Sequence, residues 1–241
     1  MNNAVIIIPT FNEIENIETI IRAIFSLRHS FDILIVDDNS PDKTGLKVKL
    51  LQKEFLDRLF LIEREKKAGL GTAYVAGFRW SLQKKYDYIF EMDADFSHNP
   101  QDLEKLYEIC HFKTADVAIG SRYITGVNVV NWPLNRVLMS YFASVYVRWV
   151  TGMKIMDTTA GFMCYKRVVL EKINLDKIKF IGYAFQIEMK YRAFAHHFNI
   201  VEVPIIFTDR AKGQSKMSSS IIKEAVFGVI NLRIKKILGR L

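Results

Sequence analysis

Short runs of β-branched and apolar residues recur along this chain with helix-length segments between them, and that alternation restricts its fold more than any other feature. Ala4–Ile8, Phe31–Val36, Leu59–Glu63, Tyr88–Met92 and Val117–Ile119 read as buried strands. Glu13–Leu27 sets Ile14, Ile17, Ile20, Ile21, Ile24 and Phe25 at helical spacing. Further helices are expected over Thr44–Phe55, over Gly71–Lys84 after the glycine loop Gly69–Gly71, and from Pro100 to about Cys110 behind a capping Asn99. Strands that alternate with helices build an α/β protein with a mostly parallel central sheet flanked by helices. The carboxyl ends of its strands then share one rim, where open α/β sheets bind ligands. The polar clusters Thr10–Glu13, Asp37–Asp42 and Asp93–Ser97 all fall just after predicted strands, so the rim is the expected site.

The second half is less regular. Tyr123–Arg136 reads as a loop, Val137–Val150 as an apolar helix broken by Arg148, and Asp157–Tyr165 as strand-like. A helix over Tyr183–Phe194, a strand over Val201–Phe207 and a polar loop over Asp209–Ser220 follow. The tail, Ile221–Leu241, sets Ile222, Val226, Val229, Ile230 and Ile237 against Lys223, Arg233, Lys235, Lys236 and Arg240, an amphipathic basic helix. The expected organisation is a catalytic domain over residues 1–220 with this helix over 221–241.

The stretch Ile89–His98 carries the clearest chemistry. Side chains alternate along a strand, so Asp93 and Asp95 project to the same side where the strand ends. Two carboxylates facing one crevice repel each other, and a divalent cation holds them most easily. Mg²⁺ usually binds through one or two carboxylates together with substrate phosphate oxygens. A lone D-x-D is also a common surface pattern. His98, His111, His196 and His197 make no ligand spacing, and His98 reads as a structural or peripheral contact.

The formal charge of +8 over 241 residues points to an anionic partner, or simply to solubility. There is no basic–aromatic platform or known motif for nucleic acid, so nucleic acid is not an expected partner. Cys110 and Cys164 lack metal-type spacing and read as reduced thiols of a cytosolic protein. The N-terminal residues have no signal-peptide pattern, and no run of about 18 apolar residues suggests a spanning helix.

Five motifs in succession resemble the family-2 inverting glycosyltransferases: Ile8–Glu13 (IPTFNE), Val36–Ser40 (VDDNS), Gly69–Ala73 (GLGTA), Met92–His98 (MDADFSH) and Gly120–Tyr123 (GSRY). Asn131–Arg136 (NWPLNR), Asp157–Phe162 (DTTAGF), Gln186–Glu188 (QIE) and the Phe207–Lys216 pattern F-x-x-R-x-x-G-x-S-K are similar to the polyprenyl-phosphate mannose synthases among them. The resemblance spans nearly the whole chain. It implies a GT-A fold, a divalent cation (Mg²⁺ or Mn²⁺), GDP-mannose as donor and a polyprenyl or dolichyl phosphate as acceptor. An enzyme with such an acceptor is expected at the cytosolic face of a membrane, as a peripheral protein.

The resemblance places Pro9, Phe11, Glu13, Val36 and Asp38 around the nucleoside, with Asp93, Ala94, Asp95, Arg210 and Lys216 also on the donor. It implies a metal pair of Asp95 and Ser97, and a reacting set of Asp93, Asp95, Arg122, Arg136 and Arg210. Guanidinium groups suit this work because they bind phosphate bidentately and offset the repulsion between a donor diphosphate and an acceptor phosphate. Other readings stay open for single residues. Glu13 also fits the first turn of its helix, Asp37 and Asp38 also fit a turn, and Gly69 and Gly71 serve either a nucleotide or a tight turn. Two positions depart from the family pattern. Phe11 stands where an aromatic hydroxyl is common, and Ser97 where archaeal-type members can carry Gln.

Two further alternatives for the whole chain are the same chemistry with a UDP-sugar such as UDP-glucose, and a non-enzymatic receiver-type signalling module. The latter also places paired acids after a first strand, but it leaves the second half unexplained.

Overall fold

The computed structural model describes residues 3–113, 115–182, 184–209 and 219–239, without side-chain detail over 219–225. Its first half follows the alternation read from the sequence: β1 (Ala4–Thr10), α1 (Ile17–Phe25), β2 (Asp32–Asp37), α2 (Thr44–Gln52), β3 (Leu59–Glu63), α3 (Leu70–Gln83), β4 (Tyr88–Glu91), α4 (Asp102–Phe112) and β5 (Val117–Ser121). The second half adds β6 (Val129–Val130), α5 (Leu134–Thr151), β7 (Met163–Lys166), α6 (Arg167–Lys172), α7 (Ala184–Ala195), β8 (Ile200–Pro204), β9 (Phe207–Thr208) and α8 (Ser219–Ile237).

Seven strands form one sheet in the order β3-β2-β1-β4-β7-β5-β8, parallel except for β7, which runs antiparallel between β4 and β5. Both faces are covered, as an almost wholly parallel sheet requires. The alternation of side chains divides the core in two. Val5, Ile7, Leu34, Val36 and Ile89 pack with Tyr74 and Phe78 of α3, with α6 and α7, and with Val229 and Leu232 of α8. Ile6, Ile8, Ile33, Ile35 and Phe90 pack on the other side with α1, α2 and α4. From β1 the chain first proceeds to β2 and β3 on one flank, then returns through β4 to the other. The crevice beyond β1 and β4 is therefore a topological switch point.

Local departures from expectation have local causes. Of the strand-like Asp157–Tyr165 only Met163–Tyr165 joins the sheet, continuing to Lys166, while the Asp157 carboxylate turns back to Arg122. Within the expected loop Tyr123–Arg136, β6 pairs in parallel with β9 as a small second sheet. Glu13 lies before α1, in a turn where its carbonyl accepts from Asn16 N and Ile17 N. Asn99 shapes the entry to α4 by accepting from Gln101 N at 3.1 Å instead of capping the helix directly. Cys110 and Cys164 are buried free thiols.

The tail forms a helix, but its polarity differs from the expected pattern. Val229 and Leu232 face the core, while Phe227, Ile230, Ile234, Ile237 and Leu238 are exposed. Two of its cations turn toward the body: Arg233 donates to Thr151 O, and Lys236 lies 4.6 Å from the Phe194 ring centre. Among the described side chains the outer face of α8 is thus largely apolar, and Ile222, Lys223 and Arg240 lie outside them. Among the described residues no helix is long and apolar enough to cross a membrane.

Candidate functional site

The loops after β1 and β2 are stitched into one shelf at the rim. Asp37 Oδ1 accepts from Thr10 Oγ1 at 2.7 Å and from Ser40 Oγ at 2.6 Å. Asn12 N donates to Ser40 Oγ, and Glu13 N to Thr44 Oγ1, each at 3.0 Å. Asp37 is therefore a structural carboxylate. Pro9, Phe11, Glu13 and Asp38 gather on this shelf, whereas Val36 is fully buried in the core beneath it, paired to β1 and β3. Lys67 Nζ lies 4.3 Å from the centre of the Phe11 ring, and Arg64 Nε lies 2.8 Å from Asp38. Burial pushes the Asp38 carboxyl above its ordinary value, and Arg64 offsets only part of that. The glycines before α3 are explained by the chain itself. A Cβ on Gly69, which has φ +101°, would stand 2.8 Å from Ile181 O, and one on Gly71 would stand 2.6 Å from Phe180 O.

One strand further on, the acidic motif leaves β4. Phe96 takes a left-handed φ of 59°, a costly conformation for a bulky residue. It folds Ser97 back under Asp95, whose Oδ1 accepts from Ser97 N at 3.1 Å. Ser97 Oγ is buried and has no hydrogen-bond partner among the described residues. Asp93 and Asp95 line the same cavity as Ser97. Two carboxylates beside an orphaned hydroxyl fit a Mg²⁺ or Mn²⁺ that completes its shell with water and substrate oxygens. Among the described residues no group of three His, Cys, Asp or Glu could hold a metal alone. His98 is buried and stacked 4.8 Å from Phe162. Burial lowers its pKa, so the ring is neutral and packs as a structural residue.

Beyond β5 stands an arginine–aromatic box. Arg122 Nε and Nη2 donate to the two Asp157 oxygens, each at 2.7 Å, and its backbone N donates to Oδ2 at 3.0 Å. Its guanidinium also lies 5.3–5.5 Å from the Tyr123, Trp132 and Phe207 rings. Burial alone would raise the Asp157 carboxyl, but the charge and hydrogen bonds of Arg122 outweigh it and hold the carboxyl below its ordinary value. Glu202 fixes the backbone of this turn by accepting from Met156 N and Asp157 N. Arg136 stacks on Trp132 at 4.1 Å and donates to Asp209 at 2.8 Å. Arg210 and Lys216 lie outside the described residues.

These groups open into a single cavity of about 460 Å³. Asp93, Asp95, Arg122 and Arg136 occupy its polar part, and Met139, Phe142, Ala143, Tyr146, Val147, Ile187 and Val226 form an apolar wall from α5, α7 and α8. The structure thus brings the acidic motif and the two arginines together. It keeps Pro9, Phe11, Glu13 and Asp38 on the neighbouring shelf, which does not line this cavity. Asp157, Thr159, Asp209 and Gln186 were not singled out by residue chemistry. The motifs around Asp157 and Gln186 were visible, but their partners, far away in sequence, were not.

The profile of glycosyl transferase family 2 matches residues 5–174. The polyprenol monophosphomannose synthase of Mycolicibacterium smegmatis is 46% identical over 235 residues, covering 98% of this chain and 88% of that protein. The undecaprenyl-phosphate mannosyltransferase of Micrococcus luteus is 44% identical over 223 residues, covering 92% and 90%. Among solved structures, glucosyl-3-phosphoglycerate synthase from Mycobacterium tuberculosis in complex with Mn²⁺, UDP and phosphoglyceric acid superposes with a TM-score of 0.69 at 15% identity, covering 99% of this chain and 78% of that one. At that identity the likeness establishes the fold, GT-A, and nothing finer.

Proposed function

The chain belongs to glycosyl transferase family 2 and is a glycosyltransferase, and we propose that it transfers mannose from GDP-mannose to a polyprenyl or dolichyl phosphate with inversion. The observation that carries this reading is the cavity itself, which joins an acidic motif and two arginines to a long apolar wall. A lipid phosphate has that same division, an anion at one end and a hydrocarbon chain at the other. The named functions of the two bacterial relatives support the same acceptor class.

The donor nucleotide is assigned to the shelf of Pro9, Phe11, Glu13 and Asp38, with the buried Val36 as its floor and Ala94 and Asp95 at its diphosphate end, and Arg210 and Lys216 remain donor ligands in this proposal. Asp95 and Ser97 would hold the divalent cation, which supplies positive charge against the departing diphosphate. Asp93 is assigned to the sugar or to orienting its neighbours. Arg136 is assigned to the acceptor phosphate, and Arg122, held by Asp157, to the wall behind it. A phosphate monoester is already anionic at neutral pH, with a second pKa of about 6. Its oxygen therefore attacks the anomeric carbon without a strong general base. The new C–O bond forms as the bond to the diphosphate breaks, and the electron pair leaves with the diphosphate. Fixed placement of the two anions is the protein's main contribution.

A panel of GDP- and UDP-sugars with a short polyprenyl phosphate, read by product mass, tests the reading. GDP-mannose is expected to give the lipid-linked sugar, and turnover only with a UDP-sugar would replace mannose transfer with the runner-up. In the same assay Arg136→Lys keeps the charge and loses the planar fork. It is expected to raise the acceptor KM about tenfold, the scale of one charge-assisted hydrogen bond, while donor KM moves little. The opposite split would assign Arg136 to the donor.

We further assign residues 1–220 to catalysis and 221–241 to docking on the cytosolic face of a membrane. Leu134, Leu138 and Phe142 of α5 and Phe227, Ile234 and Ile237 of α8 are exposed apolar side chains that would serve this docking. The two helices are joined by Tyr146 Oη donating to Val226 O at 2.9 Å. Met139, Phe142 and Val226 also line the cavity, so a lipid tail could pass from one to the other. Phe227→Ser/Ile234→Ser is expected to weaken vesicle sedimentation at least about tenfold, since each such side chain buries roughly 1.5–3 kcal/mol of apolar contact. Lys236→Glu should matter less because Lys236 lies against Phe194. Unchanged binding of the double variant would remove α8 as the docking element.

A further inference from the structure

We propose that Gln186 recognises the transferred sugar, its side-chain oxygen accepting a hydrogen bond from one sugar hydroxyl; this rests on the glycosyltransfer reading but not on the sugar being mannose. Gln186 is 2% exposed and lies in the first turn of α7, where it lines the cavity together with Asp93, Thr159 and Gly161. Its Nε2 donates to Glu91 Oε2 at the end of β4. Its Oε1 is buried and has no hydrogen-bond partner among the described residues. A buried acceptor left without a partner is uncommon in a folded protein and marks a place where one is supplied.

The residue is held at two points. Glu91 takes its amino group, and Lys190, one helical turn on, secures its backbone. Lys190 Nζ donates to Gln186 O at 3.3 Å and to Ala160 O at 2.5 Å, tying α7 to the turn that follows Asp157. Glu91 and Lys190 are both fully buried, an arrangement that is costly unless each charge has a fixed partner. A side chain at Gly161 would begin 3.6 Å from Gln186 Nε2, so glycine there leaves that flank of the carboxamide open toward the cavity.

The chemistry of the orphan atom selects its ligand. An amide oxygen only accepts, and ionised phosphate brings acceptors without donors. A hydrocarbon chain brings neither. The ribose hydroxyls and base N–H groups of the donor are assigned to the neighbouring shelf, which does not line this cavity, so the O–H donors left for Gln186 are those of the transferred sugar, fixed beside Asp93. A site built around an accepting group discriminates strongly against an analogue lacking the matching hydroxyl, because the buried acceptor is then left unpaired.

The test uses the full chain, the preferred sugar nucleotide of the wild type, and its monodeoxy analogues. Gln186→Met keeps most of the volume, and Gln186→Ala serves as a second variant, each checked by thermal melting and by calorimetric binding of GDP or UDP with Mn²⁺. In the wild type one deoxy analogue is expected to lose at least about tenfold in kcat/KM. In both variants the parent sugar should lose a comparable factor, the penalty for that one analogue should vanish, and nucleoside-diphosphate affinity should stay within about twofold. Equal losses across all analogues would overturn the proposal in favour of a packing role. A parallel loss of Mn²⁺-dependent nucleotide binding would overturn it in favour of a metal ligand. A wild type that prefers another sugar defeats the mannosyl reading alone, and the Gln186 assignment is then judged on that sugar's deoxy series.

Discussion

Asp95→Asn is expected to lower the rate of glycosyl transfer by about two orders of magnitude or more, the scale of removing a principal electrostatic stabiliser from a reacting site. Asn keeps nearly the shape of Asp and still offers an oxygen to Ser97 N, which now reaches Oδ1 at 3.1 Å. The fold of the loop should therefore survive, and thermal melting should move little. What changes is charge. The cation would have to sit on an amide oxygen and the Ser97 hydroxyl, and neutral ligands bind hard cations weakly. The variant should need far higher Mn²⁺ or Mg²⁺ to reach its residual rate, and EDTA should silence the wild type. Near-normal turnover by the variant, or wild-type turnover that persists in EDTA, would remove the metal from this motif.

The first half of the fold is legible because its signals are local. Each strand from β1 to β5 is a short apolar run, and each of the first four is followed by a helix-length segment of the other periodicity. Parallel pairing follows from that rhythm, since crossovers of helix length leave little else. The second half is less legible for the same reason. β7 is only Met163–Lys166, and its insertion between β4 and β5 depends on partners more than forty residues away in sequence. β6 and β9 are two residues each and exist because they pair with one another. In α8 the sequence shows apolar and basic residues in alternation, but which set meets the core is settled by α5 and α7. Lys236 finds the Phe194 ring, and Phe227 is left outside.

Site residues divide along a similar line. Asp93, Asp95, Ser97, Arg122 and Arg136 stand in recognisable motifs, and all five line the cavity. The residues that position them are ordinary in type and remote in sequence. Asp157 is thirty-five residues from Arg122, and Asp209 is seventy-three from Arg136. Glu91 lies two positions before Asp93, where a strand residue reads as part of the apolar approach, yet its carboxylate accepts from Gln186 of α7, ninety-five residues away in sequence.

Asp157 carries the larger structural consequence. Asp157→Asn should destabilise the protein by about 3–5 kcal/mol, because removing one partner of a buried pair strands the other charge. The Arg122 side chain is 8% exposed and the Asp157 side chain 0%, so neither charge has water to fall back on. Asn retains an oxygen for one of the three donors, which favours the lower end of that range. In a chain of this length each kcal/mol moves the midpoint by roughly 2–4 °C, so a drop of about 6–12 °C is expected. The pH dependence gives the charge a separate signature. The folded carboxyl is held below its ordinary 3.8, with Arg122 overcoming the opposing effect of burial. Its contribution is therefore fully present above pH 3.8 and is lost as the pH falls through the lower, folded value. The stability gap between wild type and variant should stay flat through neutral pH and close in acid. Urea titrations of both proteins across that range decide the matter. A gap that persists unchanged below pH 3, or no gap at pH 7, would mean that packing by Trp132 and Phe207, and not the ion pair, holds Arg122 in place.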